Sequence, residues 1–336
     1  MKAIGYRQCL AIAQTDSLED LDLPAPQPGA RDLLVRVKAI SVNPVDAKIR
    51  LGVAPEAGQA KVLGWDAVGM VESVGVDVQH FKAGDRVYYA GAINRPGANS
   101  ELHIVDERIV ARAPASLSDA QAAALPLTSI TAYELLFDRL RVPKDGGAGQ
   151  TLLIVGGAGG VGSILIQLAR QLTQLTVVAT ASRSETRQWC LGLGAHAVID
   201  HAKPLSAELK AAGFDAVDMV ASLTQTAQHF TQIIESLKPQ GQLAVIDDMP
   251  VLDVMPLKTK SISLHWELMF TRSIFETPDM ARQGELLAEV AALVDAGRIR
   301  TTVNADFGTI NAVNLKRAHA VIESGQAQGK IVLQGF

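Results

Sequence analysis

The chain has 336 residues, which is enough for two domains. Its formal net charge is −4 and its charges are interspersed, so electrostatics gives no case for nucleic acid or an anionic membrane as a partner. No apolar run approaches the roughly 18 residues of a membrane-spanning helix, and Arg7 and Gln8 interrupt the apolar core that a signal peptide needs. Two cysteines build no disulfide framework. We therefore expect a cytoplasmic protein.

Residues 1 to about 125 have the pattern of short strands separated by glycine and proline. The predicted strands are 2–7, 33–42, 68–74, 86–90 and 102–105. Segment 33–42 alternates well enough for a half-buried strand. Many short strands with this punctuation are typical of a small β-barrel-like domain.

The composition changes near Ser118, where helical sequence starts. We predict one helix over 119–137 with Ser118 as its N-cap. An apolar run at 152–155 then has the length of a buried parallel strand. Apolar residues recur at steps of three and four over 161–172, which predicts a helix with one apolar stripe.

A glycine turn joins this strand to this helix. Gly157, Gly159 and Gly162 have the G-x-G-x-x-G spacing, and strand, turn and helix in this order form a dinucleotide-binding unit. We expect Gly157 to allow the sharp turn, Gly159 to let the backbone approach a pyrophosphate, and Gly162 to let helix and strand pack closely. The alternative is a glycine-rich loop of an unrelated α/β protein.

The end of the next predicted strand, 175–180, indicates which cofactor binds. An NAD site has an acidic residue here for the ribose 2′-hydroxyl. This chain instead has Ser182, Arg183 and Arg187, which suit a 2′-phosphate and favour NADP(H). Two alternatives remain: Glu185 could turn inward and favour NAD, or the segment could be a solvated helix start capped by Ser184.

Strands and helices alternate in the rest of the chain. The predicted strands are 197–200, 216–222, 242–247, 261–266 and 330–333, and the predicted helices are 206–212, 227–237, 278–296 and 311–323. The alternation predicts a doubly wound parallel sheet whose ligand lies at the carboxyl ends of the strands. We therefore expect Leu223, Thr224 and Ile246 near the nicotinamide half of the cofactor, unless they are ordinary loop residues.

The layout resembles the medium-chain dehydrogenase/reductase superfamily over nearly the full chain. Its motifs resemble the quinone oxidoreductase branch, and most of all the subgroup called zinc-type alcohol dehydrogenase-like proteins. The supporting stretches are NPVD (43–46), GWDAVG (64–69), AGDRV (83–87), LPLT (125–128), TAYE (131–134), LGA (193–195) and GKIVL (329–333).

The resemblance implies an α/β fold with two domains. One is a GroES-like β-barrel-type catalytic domain (1–125 and 268–336), and the other is a Rossmann domain with a doubly wound parallel sheet that binds NADP(H) (126–267). The expected cofactor-binding residues are Thr128, Gly157, Ala158, Gly159, Gly160, Val161, Gly162, Ser182, Arg183, Arg187, Leu223, Thr224, Ile246 and Lys330. A homodimer paired along the edge strand 261–266 is also expected.

Zinc is not expected. Zinc alcohol dehydrogenases have a Cys where this chain has Asn43, and a Gly-His-Glu where it has Gly64, Trp65 and Asp66. A catalytic zinc needs about three converging side-chain ligands, and neither cysteine lies near these motifs. His196 and His201, in the cofactor half, are interpreted as surface or packing residues.

Without a metal, hydride transfer to a plain ketone is hard, whereas quinones and α,β-unsaturated carbonyl compounds are already activated. The predicted activity is therefore reduction of a small hydrophobic quinone or enone by NADPH, with donors that hold the developing oxyanion. The candidate catalytic residues are Asn43, Asp46, Lys48 and Asp66. Asn43 could equally start a turn, Lys48 and Asp46 could form a surface ion pair, and Asp66 could be structural.

Further residues have weaker assignments. Trp65, Trp266 and Phe270 could form an apolar substrate wall or belong to the core, and Arg272 could reach phosphate or be a surface charge. Thr128 could bind the nicotinamide ribose or cap a helix turn. Two other functions stay open: a zinc-dependent alcohol dehydrogenase, and a crystallin-like NADPH-binding protein with little turnover.

Overall fold

The computed structural model describes residues 1–336 and contains two compact units. The first unit is Met1–Ile130 with Phe270–Phe336, and the second is Thr131–Met269. That these units act as the predicted catalytic and cofactor domains stays a prediction. No helix combines the length and the apolar character needed to cross a membrane.

The strands follow the chain as short, mostly buried segments. They are β1 (Lys2–Tyr6), β2 (Glu19–Asp22), β3 (Asp32–Val42), β4 (Lys61–Val62), β5 (Ala67–Val74), β6 (Arg86–Tyr89), β7 (Leu102–Asp106), β8 (Val110–Arg112), β9 (Thr151–Val155), β10 (Thr176–Thr180), β11 (Ala197–Ile199), β12 (Val217–Ser222), β13 (Leu237–Val245), β14 (Ser263–Trp266), β15 (Val303–Asp306) and β16 (Lys330–Gln334).

The α-helices alternate with strands mainly after residue 118. They are α1 (Pro44–Gly52), α2 (Asp119–Ala123), α3 (Pro126–Tyr133), α4 (Gly160–Leu172), α5 (Ser184–Gly192), α6 (Leu205–Ala211), α7 (Thr226–Ser236), α8 (Thr271–Ile274), α9 (Arg282–Asp295) and α10 (Ala312–Glu323). Three 3₁₀ turns (Thr15–Ser17, Glu107–Ile109 and Met255–Lys260) and one π-helix (Glu134–Arg139) complete the set.

The first unit contains two sheets. A small antiparallel sheet has the order β2-β1-β4, and a larger sheet has the order β15-β16-β3-β5-β6-β8, with β7 paired to β3. β16 pairs antiparallel with β3, with Ile331 opposite Val42, so the last strand of the chain lies beside the end of β3. This register brings the motifs NPVD (43–46) and GKIVL (329–333) together in the first unit.

The second unit is a six-stranded parallel sheet of order β11-β10-β9-β12-β13-β14. The strand order reverses at β9, as it does in a doubly wound dinucleotide-binding fold. Apolar side chains of the strands and of α6 and α7 form its core, which includes Leu153, Val220, Leu209, Ile233 and Leu243. The predicted parallel sheet is confirmed.

The structure corrects the helix predicted over 119–137. Ser118 caps α2 as predicted, accepting a hydrogen bond from the Gln121 N–H, but α2 ends at Ala123. A second helix begins at Pro126, because proline suits the first turn of a helix and breaks its interior. The segment then widens into the π-helix.

Other differences concern short elements and helix starts. The short strands β2, β4, β8 and β15 and the helix α8 were not predicted, since two to four residues carry little periodicity. The nine-residue helix α1 was not predicted either. β13 begins at Leu237 rather than at 242, and α9 begins at Arg282 rather than at 278. α5 begins at Ser184 with Arg183 as its N-cap residue, so Ser184 is not the cap.

Candidate functional site

The turn after β9 leaves room only for glycine at several positions. Gly156 has a φ of +86°, and a Cβ there would lie 2.9 Å from Thr224 Cγ2. A Cβ on Gly162 would lie 2.4 Å from the Gly156 carbonyl oxygen. The sharp turn predicted for Gly157 therefore lies at Gly156. Gly157 is required for another reason, since its Cβ would lie 2.7 Å from that of Ala179.

The start of α4 has the properties of an anion site. Gly159 is the N-cap residue, and the first turn contains no acidic side chain that would neutralise the helix dipole. Gly159, Gly160 and Val161 are half-buried, while Ala158 is buried. The first N–H groups of a helix lack intrahelical partners, so this turn is suited to a pyrophosphate.

The basic residues after β10 have different surroundings. Arg183 is partly exposed, and its Nε lies 2.9 Å from Glu185 Oε1, so Glu185 pairs with an arginine. The Arg187 guanidinium donates to the carbonyl oxygens of Val198 at 2.7 Å and Ala181 at 3.4 Å. Ser182 is exposed. Arg187 thus braces the ends of two strands, and Ser182 and Arg183 present the more accessible polar groups.

The ends of β12 and β13 lie beside the glycine turn within the second unit. The Leu223 N–H donates to the Val155 carbonyl at 3.2 Å, and the Ile246 N–H donates to the Ser222 carbonyl at 3.3 Å. Thr224 contacts Gly156, as described above. The three residues predicted at the carboxyl edge of the sheet therefore lie at that edge.

A buried polar cluster forms in the first unit. The Lys330 ammonium donates to Asp66 Oδ2 at 2.9 Å, to the Val42 carbonyl at 3.2 Å and to Asn43 Oδ1. The Asn43 amide nitrogen donates to Asp66 Oδ2 at 2.8 Å, and the Asn43 N–H donates to Asp46 Oδ2 at 2.7 Å. Asn43, Asp46, Asp66 and Lys330 are each at most 3% exposed.

Five elements meet at this cluster. Asn43 follows β3 and precedes α1, whose first turn contains Asp46. Asp66 precedes β5, and its Oδ1 accepts the N–H of Leu127 in α3 at 2.7 Å. Lys330 opens β16. The cluster thus fixes the starts of two helices against two strands.

Burial shifts the pKa of both carboxyl groups. Burial raises the pKa of Asp46 to about 7, although the Asn43 N–H and the Lys330 ammonium oppose the shift. Burial also raises the pKa of Asp66, against the opposing effects of Lys330 and of the Leu127 N–H. Two buried carboxyl groups face one ammonium, so a proton on Asp46 makes the cluster neutral.

Two other predicted residues have their own surroundings. Lys48 is exposed on α1, two residues from the buried Asp46, and side chains at this spacing do not face each other on a helix. The Thr128 hydroxyl donates to the Leu125 carbonyl at 3.2 Å within the preceding turn. Both remain candidates for their predicted roles.

The candidates for a substrate wall and for phosphate binding have different surroundings. Trp65 is buried, its indole N–H donates to the Ala92 carbonyl at 3.2 Å, and it packs edge-on against Phe270. Trp266, in β14, is 52% exposed. Arg272 pairs with Asp279 at 2.8 Å. The sequence did not reveal the contact of Lys330 with Asn43 and Asp66. The one available signal was a lysine directly before three apolar residues in a strand.

Comparisons with known proteins place the chain in a family. A model of the alcohol dehydrogenase GroES-like domain matches residues 29–115, and a model of zinc-binding dehydrogenases matches residues 193–333. The chain is 37% identical to a zinc-type alcohol dehydrogenase-like protein of Staphylococcus epidermidis, over 99% of both chains. It belongs to the medium-chain dehydrogenase/reductase superfamily. The chain is therefore an oxidoreductase of this type, with a GroES-like domain and a Rossmann sheet.

Other similar proteins have names that state different activities. A 2-methylene-furan-3-one reductase of Solanum lycopersicum is 30% identical over 99% of this chain and 79% of the relative. A Rhizobium etli structure, provisionally described as a zinc-dependent alcohol dehydrogenase, is 55% identical with a TM-score of 0.96 over 100% and 98% of the two chains. Escherichia coli quinone oxidoreductase complexed with NADPH is 26% identical with a TM-score of 0.84 over 99% and 100%.

The first unit does not fit the zinc ion that some of these names imply. No three His, Cys, Asp or Glu side chains converge at a common point. At the motif positions, Asn43 Oδ1 and Asp66 Oδ2 already accept hydrogen bonds from the Lys330 ammonium, and Trp65 is committed to the core. A positive charge therefore already lies among the oxygen atoms that would face a metal.

Replacing Asp46 by Asn is expected to reduce the pH dependence of stability. The folded-state pKa of about 7 lies above the value of about 3.9 for unfolded aspartate, so the native state binds more protons between these values. Stability of the unsubstituted protein therefore falls as the pH rises through this window. Asp46→Asn should gain stability relative to it between about pH 5 and about pH 8 in urea denaturation. If the difference in unfolding free energy between Asp46→Asn and the unsubstituted protein did not change with pH, the raised pKa of Asp46 would be contradicted. Asp77→Asn, at an exposed residue, is the control variant.

The Lys330–Asp66 pair is expected to show strong coupling in a double-mutant cycle. Lys330→Met leaves buried Asp66 without its ammonium and should cost about 3–5 kcal/mol of unfolding free energy. Lys330→Met combined with Asp66→Asn should cost clearly less than the sum of the two single changes. Urea denaturation of the four proteins measures the coupling, and additive costs would show that the pair contributes no mutual stabilisation.

Proposed function

We propose that the protein is an NADPH-dependent, zinc-independent reductase of quinones or α,β-unsaturated carbonyl compounds. The observation that carries the proposal is the Lys330 ammonium, which is bound by Asn43 and Asp66 at the positions where zinc alcohol dehydrogenases place metal-site residues. The Solanum reductase and the Escherichia coli quinone oxidoreductase, named by such activities, support the choice of substrate class.

The proposed class of hydride acceptor follows from the chemistry of Asn43, Asp66 and Lys330, which form no metal-ligand set. A metal ion polarises a carbonyl as a Lewis acid, and without it a plain ketone is a poor hydride acceptor. In a quinone or an enone, conjugation spreads the charge that arrives with the hydride onto a carbonyl oxygen. Hydrogen-bond donors are then sufficient to stabilise the oxyanion.

The four candidate catalytic residues divide into two roles. The amide of Asn43 is directed at Asp66, and the carboxyl groups of Asp46 and Asp66 are buried, so we assign these three to positioning. Lys48 is the one exposed member of the set. We assign Lys48 as the donor to the developing oxyanion.

NADPH is favoured by the glycine turn and by the end of β10. The α4 N-terminus suits a pyrophosphate, and Ser182 and Arg183 are accessible where a 2′-phosphate would be recognised. Glu185 is paired with Arg183, which weakens its case as the ribose-binding acid of an NAD enzyme. The NADPH bound by the Escherichia coli relative supports the same choice.

The test is NADPH consumption by chelator-treated protein. A quinone and an α,β-unsaturated ketone are offered in parallel, with a saturated ketone and NADH as controls. The proposal predicts turnover of a conjugated acceptor with NADPH and little turnover of the saturated ketone. Activity that appears only when zinc is added would favour a zinc-dependent alcohol dehydrogenase, and NADPH binding without turnover of any acceptor would favour a binding protein.

We also propose a homodimer paired along β14. β14 is the edge strand of the parallel sheet, and Trp266 and nearby Leu268 are about half exposed. An edge strand offers unpaired backbone groups to a second copy, and exposed apolar side chains beside it add contact area. Sedimentation at micromolar concentration should give a dimer that Trp266→Lys weakens, whereas a monomeric unsubstituted protein would contradict the proposal.

A further inference from the structure

A chain of hydrogen bonds joins the carboxyl ends of β12 and β13 in the second unit. The hydroxyl oxygens of Ser222 and Thr226 lie 2.6 Å apart, and both residues are fully buried. The Thr226 N–H donates to Asp247 Oδ2 at 2.9 Å, and the Thr226 hydroxyl donates to the other carboxylate oxygen. Since the hydrogen of Thr226 is used in this way, the Ser222 hydroxyl is the donor to Thr226. The polar chain therefore runs in one direction, from Ser222 through Thr226 to Asp247.

Asp247 supplies the cap that α7 lacks in its own sequence. Gln225 is the N-cap residue of α7, but its side chain makes no capping hydrogen bond, and the first turn contains no acidic residue. The carboxylate of Asp247, which follows β13, accepts the first N–H of the helix instead. Negative charge is stabilising at a helix N-terminus. The start of α7 is thus fixed to the end of a neighbouring strand.

The loop between β12 and α7 has a constrained backbone. Gln225 has a φ of +51°, in the left-handed region that residues with a side chain adopt only at a cost. The loop is tied at both ends, by the Leu223 N–H, which donates to the Val155 carbonyl at 3.2 Å, and by the bonds of Thr226 to Asp247. Such a conformation persists only where its surroundings hold it. Loss of the Asp247 carboxylate would therefore release one end of the loop.

The same loop contacts the glycine turn. A Cβ on Gly156 would lie 2.9 Å from Thr224 Cγ2, so Thr224 packs directly against the turn. The Ile246 N–H donates to the Ser222 carbonyl at 3.3 Å, which ties the residue before Asp247 to the same strand end. The ligand of a doubly wound sheet lies outside the carboxyl ends of its strands. Asp247 therefore holds the two segments at which we expect the nicotinamide, one at Thr224 and one at Ile246.

We propose that Asp247 is a positioning residue for hydride transfer, which holds the loop 223–225 so that the nicotinamide ring is correctly placed against the acceptor. The inference rests on the proposed reduction by NADPH. The hydride leaves C4 of the nicotinamide with its electron pair and bonds to the acceptor, which then takes up a proton. The rate of such a transfer depends steeply on the relative position of the two reactants.

This role predicts an effect on rate rather than on affinity. The phosphates of the cofactor are expected at the start of α4 and at the end of β10, away from the polar chain. Binding energy from these remote groups does not require a correctly placed nicotinamide. Loss of the Asp247 carboxylate should therefore leave NADPH bound but less well oriented.

The test is a stopped-flow single-turnover experiment at saturating NADPH, with naphthoquinone and cyclohexenone as acceptors. Asp247→Ala should lower the rate constant of NADPH oxidation about tenfold at unchanged amplitude, because a small misplacement of the reacting atoms is this costly. The NADPH affinity, measured by nicotinamide fluorescence, should change by less than about threefold. Poor folding alone would reduce the amplitude and leave the rate constant unchanged.

Variants of Thr226 test the polar chain itself. Thr226→Val keeps the shape and removes the hydroxyl, so it should lower the rate constant, whereas Thr226→Ser keeps the hydroxyl and should retain the rate. Asp247→Ala combined with Thr226→Val should be about as slow as Asp247→Ala alone, because the two changes remove one contact. Asp215→Ala is the matched control, since Asp215 is exposed before β12, at the other end of that strand.

The outcomes separate this inference from the proposed function. An unchanged rate constant in Asp247→Ala, whatever its amplitude or NADPH affinity, would overturn the inference while leaving the proposed function intact. A rate constant that falls equally in Asp215→Ala would also overturn it. If the unsubstituted protein oxidises NADPH with neither acceptor, the proposed function and this inference fail together.

Discussion

The ammonium of Lys330 is the contact on which the arrangement of the first unit depends. It joins the last strand to Asn43 and Asp66, which lie 287 and 264 residues earlier in the chain. β16 must therefore pair with β3 before the cluster can form, and the cluster in turn holds the starts of α1 and α3. A lysine so deeply buried is tolerated only because each donated hydrogen bond meets an oxygen acceptor.

This contact also constrains the chemistry. Divalent zinc and the lysine ammonium would compete for the same oxygen atoms, and the ammonium is covalently part of the chain. Asp46 adds a carboxyl group with a raised pKa, so the cluster can take up a proton near neutral pH without a metal. The proposed function follows this constraint, because conjugated acceptors need only hydrogen-bond donors for their oxyanion.

The sequence predicted the second unit better than the first unit's site. A buried strand, a glycine turn and an apolar-striped helix are local features, and the β9–α4 unit lies where they placed it. The positive φ at Gly156 was missed because the motif was aligned from Gly157. Pro126 marked a helix boundary that the apolar pattern concealed. α1, only nine residues long, opens at Pro44, directly after Asn43, which was considered as a catalytic residue or as the start of a turn.

The buried cluster could not be predicted because it depends on strand pairing rather than on spacing. Asn43, Asp46 and Asp66 were singled out individually, but nothing local connects them to Lys330. Lys330, which was expected among the cofactor-binding residues, forms an ion pair with the candidate catalytic residue Asp66. The contact of His201 with Thr180 likewise exists only once β10 and β11 lie side by side.

The most direct test of the central claim is the metal content of the active protein. The chain would be purified from cells grown with added zinc, and bound metal would be measured by mass spectrometry alongside NADPH-dependent turnover of the best acceptor. We expect zinc far below one per chain, with turnover that does not follow the residual metal. One tightly bound zinc per chain, lost together with turnover and located at Asn43 and Asp66 with Lys330 displaced, would contradict it.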